Sequence, residues 1–138
     1  MLTLRIISFS FKKGLPSDPS GNGGGFIFDC RALPNPGTLE AYKQLTGMQT
    51  PVIDYLEQYE AVHEFKAHAH ALCEQSVKRY LERGFENLMI CFGCTGGQHR
   101  SVYCAEETAR FLAQKYPVRV LLEHREQQVE RVIEGSAA

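Results

Sequence analysis

No apolar stretch in the chain approaches the ~18 residues that a membrane-crossing helix needs. The amino terminus carries Arg5 in a short apolar run, without a long apolar core followed by a small-residue cleavage site. Neither a signal peptide nor an anchor is therefore expected, and the expected location is cytoplasmic. There is also no run of lysine and arginine, and the formal net charge is −1. This argues against a strongly basic nucleic-acid binder, whose affinity comes largely from neutralised phosphates; a basic patch would have to be assembled by folding. A Gly-x-x-x-x-Gly-Lys-Ser/Thr loop is missing as well. The run Gly21-Asn22-Gly23-Gly24-Gly25 has neither that ending nor a dinucleotide spacing, so it reads as a flexible linker. No internal repeat is present.

The five cysteines are Cys30, Cys73, Cys91, Cys94 and Cys104. An odd count without a secretion signal suits reduced thiols. Cys91 and Cys94 have Cys-x-x-Cys spacing, but Cys91 lies in an apolar strand-like run, where a redox pair would open a helix. A structural zinc site needs four ligands, and no second such pair exists. Cys30, Cys73 and Cys104 read as packing residues. His63, His68 and His70 fall on a predicted helix, and a spacing of two keeps His68 and His70 off one face. No metal and no cofactor are expected.

The remaining pattern is that of one domain over 1–138. The hydrophobic fraction is 43% and the charged fraction 22%, ordinary for a globular chain. Leu2 to Phe11 reads as a strand, 14–25 as a loop, and Phe26-Ile27-Phe28 as a short buried strand. Thr38 to Leu45 suits a short helix closed by Gly47. Thr50-Pro51 looks like a cap and first helical residue. Apolar residues then recur at helical spacing to Arg83, as one helix or as two joined near Gln58 to Glu60, ending at Gly84. The continuous apolar run Asn87 to Phe92 predicts a strand covered on both faces. Arg100 to Lys115 predicts a helix, Val118 to Leu122 a strand, and Glu126 to Glu134 a terminal helix with Val129, Val132 and Ile133 on one side. This order predicts a three-layer α/β domain, a mainly parallel sheet with helices on both faces.

The chemistry concentrates in Gly93-Cys94-Thr95-Gly96-Gly97-Gln98-His99-Arg100-Ser101, between the predicted strand and helix. Its glycines let the backbone approach a ligand closely. The following helix directs free amides and its positive dipole end at the same spot. Arg100 offers a rigid fork for two phosphate oxygens. Thr95 and Ser101 add hydroxyls, and His99 a donor whose charge changes near neutral pH. Phosphate or a similar anion is the expected ligand. Asp29, Arg31 and Asn35 follow another strand, at the end where α/β sheets bind ligands, and His124-Arg125 ends a third. The same loop also has the Cys94-x5-Arg100 spacing of cysteine-dependent phosphatases, in which a thiolate attacks phosphorus. Cys94 and Asp29 are the nucleophile and general acid of that alternative, although Gly93 stands where those enzymes usually have histidine.

The stretch Gly93 to Tyr103 resembles the carboxyl-terminal domain of the RNase adaptor protein RapZ family, which typically has lysine in place of Gln98. Further matches are Phe9 to Gly14, Phe28 to Pro36, Leu45-Thr46-Gly47 with Pro51-Val52, Val62-His63-Glu64-Phe65 and His124-Arg125. The resemblance implies a phosphofructokinase-like α/β domain that senses a phosphorylated amino sugar, binds small regulatory RNA and presents it to a ribonuclease. By motif position it implies a pocket of Asp29, Arg31, Asn35, Thr95, Gly96, Gly97, His99, Arg100, Ser101, His124 and Arg125. Full-length members carry a P-loop kinase-like domain, whose motif is missing here, and the RNA-binding members have a basic tail. In this chain Arg125 and Arg131 are mixed with Glu126, Glu130 and Glu134. The sequence therefore predicts a non-catalytic sensor of a phosphosugar or nucleotide sugar, with RNA or a protein as regulatory partner. A phosphatase is the second reading, and an RNA-binding module without a small ligand the third. Oligomeric state is open, a homo-oligomer included.

Overall fold

Long apolar strands with little polar alternation must be covered on both sides, and they set the architecture. In a computed structural model, which describes residues 1–136, β1 (Leu2–Ser10) lies in the middle of a five-stranded sheet. It is flanked by β3 (Asn87–Cys94) and β4 (Val118–His124); β2 (Gly25–Asp29) and β5 (Val129–Glu134) form the edges, in the order β2-β3-β1-β4-β5. All pairings are parallel except β4–β5. The fold is α/β with a mostly parallel sheet, as the strand–helix alternation predicts.

Three α-helices follow: α1 (Thr50–Glu57), α2 (Glu60–Arg83) and α3 (Arg100–Lys115). Pro51 sits in the first turn of α1, where its missing N–H costs nothing. The residue before that helix is Gln49, so Thr50 lies one position inside the end expected for a cap. The long periodic segment is two helices, broken at Gln58-Tyr59. Gly84 ends α2 in the left-handed conformation at φ 69°. The helix expected over Thr38 to Leu45 is instead a pair of short 3-10 turns, Pro36–Thr38 and Glu40–Tyr42.

Strand order decides where the helices lie. The crossovers β2 to β3 and β3 to β4 advance in the same direction across the sheet, so one handedness puts α1, α2 and α3 on one face. The core follows this arrangement. Leu2, Leu4, Ile6, Leu88, Ile90, Phe92, Val118, Val120 and Leu122 pack with Val52 and Leu56 of α1, Val62, Ala69, Cys73 and Val77 of α2, and Tyr103, Cys104, Ala105, Ala109 and Leu112 of α3. The opposite face holds Ile7, Phe9, Met89 and Cys91 with Phe11, and among the described residues no α-helix. The connection that would cover it, β1 to β2, contains only the 3-10 turn Phe11–Lys13 and an irregular loop in which Pro16 is buried. Helices therefore lie on one face, where the sequence predicted both.

Two further expectations are corrected. Phe26 to Phe28 is an edge strand with one half-buried face, and Ile27 is 42% exposed. The segment expected as a terminal helix is strand β5. The spacing of Val129, Val132 and Ile133 suits a helix or a strand, and the open edge of β4 settles it by supplying ladder partners. A turn with Gln128 at φ 57° reverses the chain, and Arg119 faces Glu134 across the pair at 2.9 Å.

Candidate functional site: an anion cleft at the strand ends

Adjacent strands β1 and β3 send their chains in opposite directions, one back to β2 and the other over β1 to β4. The crevice at such a divergence, beyond the carboxyl ends of the strands, is where open α/β sheets receive ligands. Here the Ser10 hydroxyl donates to the Thr95 carbonyl at 2.6 Å and so ties the two exits together. Between them lies a cleft of about 210 Å³ lined by Lys12, Asn35, Gly37, Lys43, Cys94, Thr95, Gly96, Gln98, His99 and Arg100. Every charged side chain in that lining is basic, although the whole chain carries −1.

The loop is shaped by contacts that only its own residues allow. Gly97 stands at φ 66°, and a Cβ there would lie 2.9 Å from the Ser10 nitrogen and 2.6 Å from Glu126 Cγ. Gly47 packs so tightly on the start of α3 that a Cβ would overlap the His99 carbonyl and the Tyr103 nitrogen; its own N–H donates to the Gln98 carbonyl at 2.9 Å. The Gln98 side chain donates to the Lys43 and Leu45 carbonyls at 2.7 and 2.8 Å, which holds the 42–47 segment against the loop. His99 Nε2 donates to the Tyr42 carbonyl at 2.9 Å. That bond puts a proton on Nε2 and leaves Nδ1, beside Gly37, to face a ligand.

The main chain carries the strongest anion signal. Among the described residues, none of the backbone N–H groups from Thr95 to Val102 donates to a protein acceptor. Consecutive free amides at a helix start form a concave positive surface. Arg100 is only 5% exposed and donates through Nη1 to the carbonyls of Arg31 and Leu33 at 2.8 and 3.0 Å. It fastens the 30–33 segment to α3 and is itself among the residues that line the cleft.

The other expected site residues take different places. Asp29 and Arg31 form a two-pronged pair, Nε to Oδ1 at 2.9 Å and Nη2 to Oδ2 at 2.8 Å, and the Arg31 guanidinium lies 3.9 Å from the Phe11 ring centroid. Neither lines the cleft. Hydrogen bonding from Arg31, helped by the Arg31 backbone N–H and the charge of Arg100, holds the Asp29 carboxyl below its ordinary range. Ser101 is fully buried, and the Cys94 thiol donates to its hydroxyl at 3.1 Å. His124 is buried with both ring nitrogens engaged: Nδ1 with Ser8 Oγ at 2.7 Å and Nε2 with Glu106 Oε1 at 2.8 Å. Arg131 closes this chain with a two-pronged bond to Glu106 at 2.7 and 2.9 Å. Burial alone would raise the Glu106 carboxyl, but bonds from His124 and Arg131 outweigh it and bring the group down to about 2. The backbone N–H of Arg125 donates to the Ser8 carbonyl, and its side chain lies beside Glu123, away from the cleft.

Sequence reasoning missed Lys12, Gly37 and Lys43 as cleft residues, and placed Gln98 in the loop without giving it a role of its own. The pair Lys12-Lys13 directly after a buried strand was the available signal. Among the described residues, no group of three or more His, Cys, Asp or Glu is set to hold a metal ion. Cys91 and Cys94 point to opposite sides of β3, in separate core clusters, so their spacing makes no redox pair. No helix among the described residues is long and apolar enough to cross a membrane.

A family model described as the RapZ C-terminal domain matches residues 2–128. A nucleotide-binding protein of Thermosipho africanus is 42% identical over 123 residues, covering 89% of this chain and 42% of its own length. One of Lactobacillus johnsonii is 40% identical over 124 residues, covering 90% and 40%. One of Cupriavidus taiwanensis is 41% identical over 125 residues, covering 91% and 40%. The chain thus spans about two fifths of the length of these relatives. With its family match running over nearly all of its residues, the chain belongs to the RapZ C-terminal domain family.

Proposed function

We propose that this domain is a non-catalytic sensor of a phosphorylated small molecule, with a phosphosugar as its ligand class. The observation that carries this reading is the set of unpartnered amides at Thr95, Gly96, Gln98, His99 and Arg100, in a cleft whose charged side chains are Lys12, Lys43 and Arg100. A phosphate monoester dianion matches that surface: the amides and Arg100 take the oxygens, and the two lysines balance the charge. His99 Nδ1 accepts from a ligand hydroxyl. The Asn35 side-chain oxygen already accepts from the Gly37 N–H at 2.9 Å, so its amide NH2 is left to donate.

The relatives are named as nucleotide-binding proteins, and those names describe chains a little over twice as long as this one. A nucleotide is therefore a ligand to test beside phosphosugars. The net charge of −1 gives no general support to RNA contact, which would have to use the basic cleft rim. A phosphatase draws no support from the site. Asp29 stays ionised against Arg31, where a general acid must hold a proton. The Cys94 thiol faces Ser101.

The test is thermal unfolding with inorganic phosphate, sulfate, hexose and hexosamine phosphates and nucleotides, with released phosphate measured alongside. A ligand at 100 times its dissociation constant adds about 2.7 kcal/mol of stability. Lys12→Gln and Lys43→Gln, both at exposed positions, should each weaken phosphosugar binding roughly tenfold without changing the unliganded Tm. Stabilisation by no phosphorylated compound, or phosphate release that depends on Cys94, overturns the proposal.

A further inference from the structure

Three of the five thiols converge under the anion loop. Cys30, Cys94 and Cys104 are 0%, 2% and 1% exposed and share one core cluster. Burial raises the Cys30 thiol, and the neighbouring Cys104 and Cys94 raise it further, Cys104 the more. The relation between Cys30 and Cys94 follows from the sheet. Strands β2 and β3 run parallel in register up to Asp29 opposite Gly93. The Cys30 N–H then donates to the Gly93 carbonyl at 2.7 Å, which continues the ladder one residue further. Cys30 and Cys94 are thus neighbours across two parallel chains, with both side chains on the helix-covered face. Paired strands lie about 4.8 Å apart, inside the ~4.4–6.8 Å Cα range that a disulfide spans. Cys94 also lines the cleft, so a small solute in the cleft meets its residue, whereas Cys30 lies wholly beneath.

We infer that Cys94 is an oxidation site at the floor of the anion cleft and that Cys30 resolves it, so that peroxide and phosphate compete for one place and a Cys30–Cys94 disulfide switches ligand binding off. The Cys94 thiolate attacks one oxygen of hydrogen peroxide. The S–O bond forms, the O–O bond breaks, and hydroxide leaves, giving the sulfenic acid. Cys30 sulfur then attacks Cys94 sulfur, the S–S bond forms, the S–O bond breaks, and the hydroxyl departs as water with the Cys30 proton. Two electrons pass from the thiol pair to peroxide, and two waters form in all. Burial pushes the Cys30 thiol well up, so it keeps its proton until that second step.

The structural consequence is local. A link to Cys30 takes the Cys94 sulfur off the Ser101 hydroxyl in the first turn of α3. It also pulls on the residue next to Arg31, whose carbonyl holds Arg100. Both changes act on the amides and the guanidinium that form the cleft. The competition with phosphate rests on the function proposed above, whereas formation of the link does not.

The experiment treats the full chain with hydrogen peroxide and follows intact mass and non-reducing peptide maps, with and without inorganic phosphate. The expected result is loss of two hydrogens, recovered as a Cys30–Cys94 peptide and reversed by thiol. Phosphate at ten times its dissociation constant should slow the reaction about tenfold, because the free fraction falls to that extent. Cys30→Ser and Cys30→Ala should instead accumulate a dimedone-reactive sulfenic acid at Cys94. Having two variants guards against one that fails to fold. Linkage of Cys30 to Cys104, oxidation of all five thiols at one slow rate, or over-oxidation of Cys94 without a link would each overturn the inference. If the link forms but phosphate neither protects nor binds the reduced protein, the oxidation site stands and the phosphate reading fails.

Discussion

Replacing Glu106 by glutamine removes the charge that joins α3, β4 and β5. The carboxylate accepts from His124 Nε2 at 2.8 Å and from two Arg131 nitrogens at 2.7 and 2.9 Å, and its side chain is 14% exposed. These bonds lower its pKa from 4.5 to about 2 against the opposing effect of burial. A folded-state pKa below the unfolded one means stability that is fully present above about pH 4.5 and lost as the pH falls toward 2. The displacement corresponds to about 3 kcal/mol. At pH 7 Glu106→Gln should cost a similar amount, roughly 2–4 kcal/mol, because a carboxamide offers one acceptor and one donor where three donors converge. At pH 2 the folded wild-type carboxyl is about half protonated and the unfolded one almost fully so, and the gap should therefore shrink to under about 1 kcal/mol. Urea unfolding of both proteins between pH 2 and 7 measures this, and the difference between them cancels the other carboxylates. A gap that stays constant over that range would refute the assignment of the lowered pKa to this network.

Two further substitutions probe the loop itself. Gly97→Ala forces a side chain into the left-handed region and against the Ser10 nitrogen, so we expect a loss of about 3 kcal/mol, seen as a Tm drop of roughly 10 °C; an unchanged Tm would mean that the loop has a different path. Gln98→Lys keeps a donor for the Lys43 and Leu45 carbonyls and adds a charge at the cleft. It should tighten phosphate binding by roughly threefold, less at high salt, with a stability change under about 1 kcal/mol. Isothermal titration at two ionic strengths reads both effects, and weaker binding would show that Gln98 is needed as an amide.

Some of this site is legible in a local stretch of sequence. The continuous apolar run of β3, the glycines after it and the helical spacing from Arg100 each report a local requirement, and α3 has the bounds that its periodicity predicts. The adjacency of His124 and Arg125 is less informative. Neighbours on a strand leave toward opposite faces, so one is sealed under α3 and the other lies beside Glu123. Asp29 stands at a strand end as expected, yet Arg31 two residues on occupies both of its oxygens.

By itself the sequence determined the α/β class and the strand–loop–helix unit around Thr95 to Ser101, because both depend on spacing and on backbone freedom within a short segment. Tertiary structure alone decided the rest. Two crossovers that advance in one direction put every helix on one face. The open edge of β4 turned an ambiguous apolar spacing into β5. Convergence of three loops made Lys12 and Lys43 part of one cleft, and the register of β2 against β3 set Cys30 beside Cys94. Each of these depends on which segments meet in space, and residue spacing along the chain does not encode that.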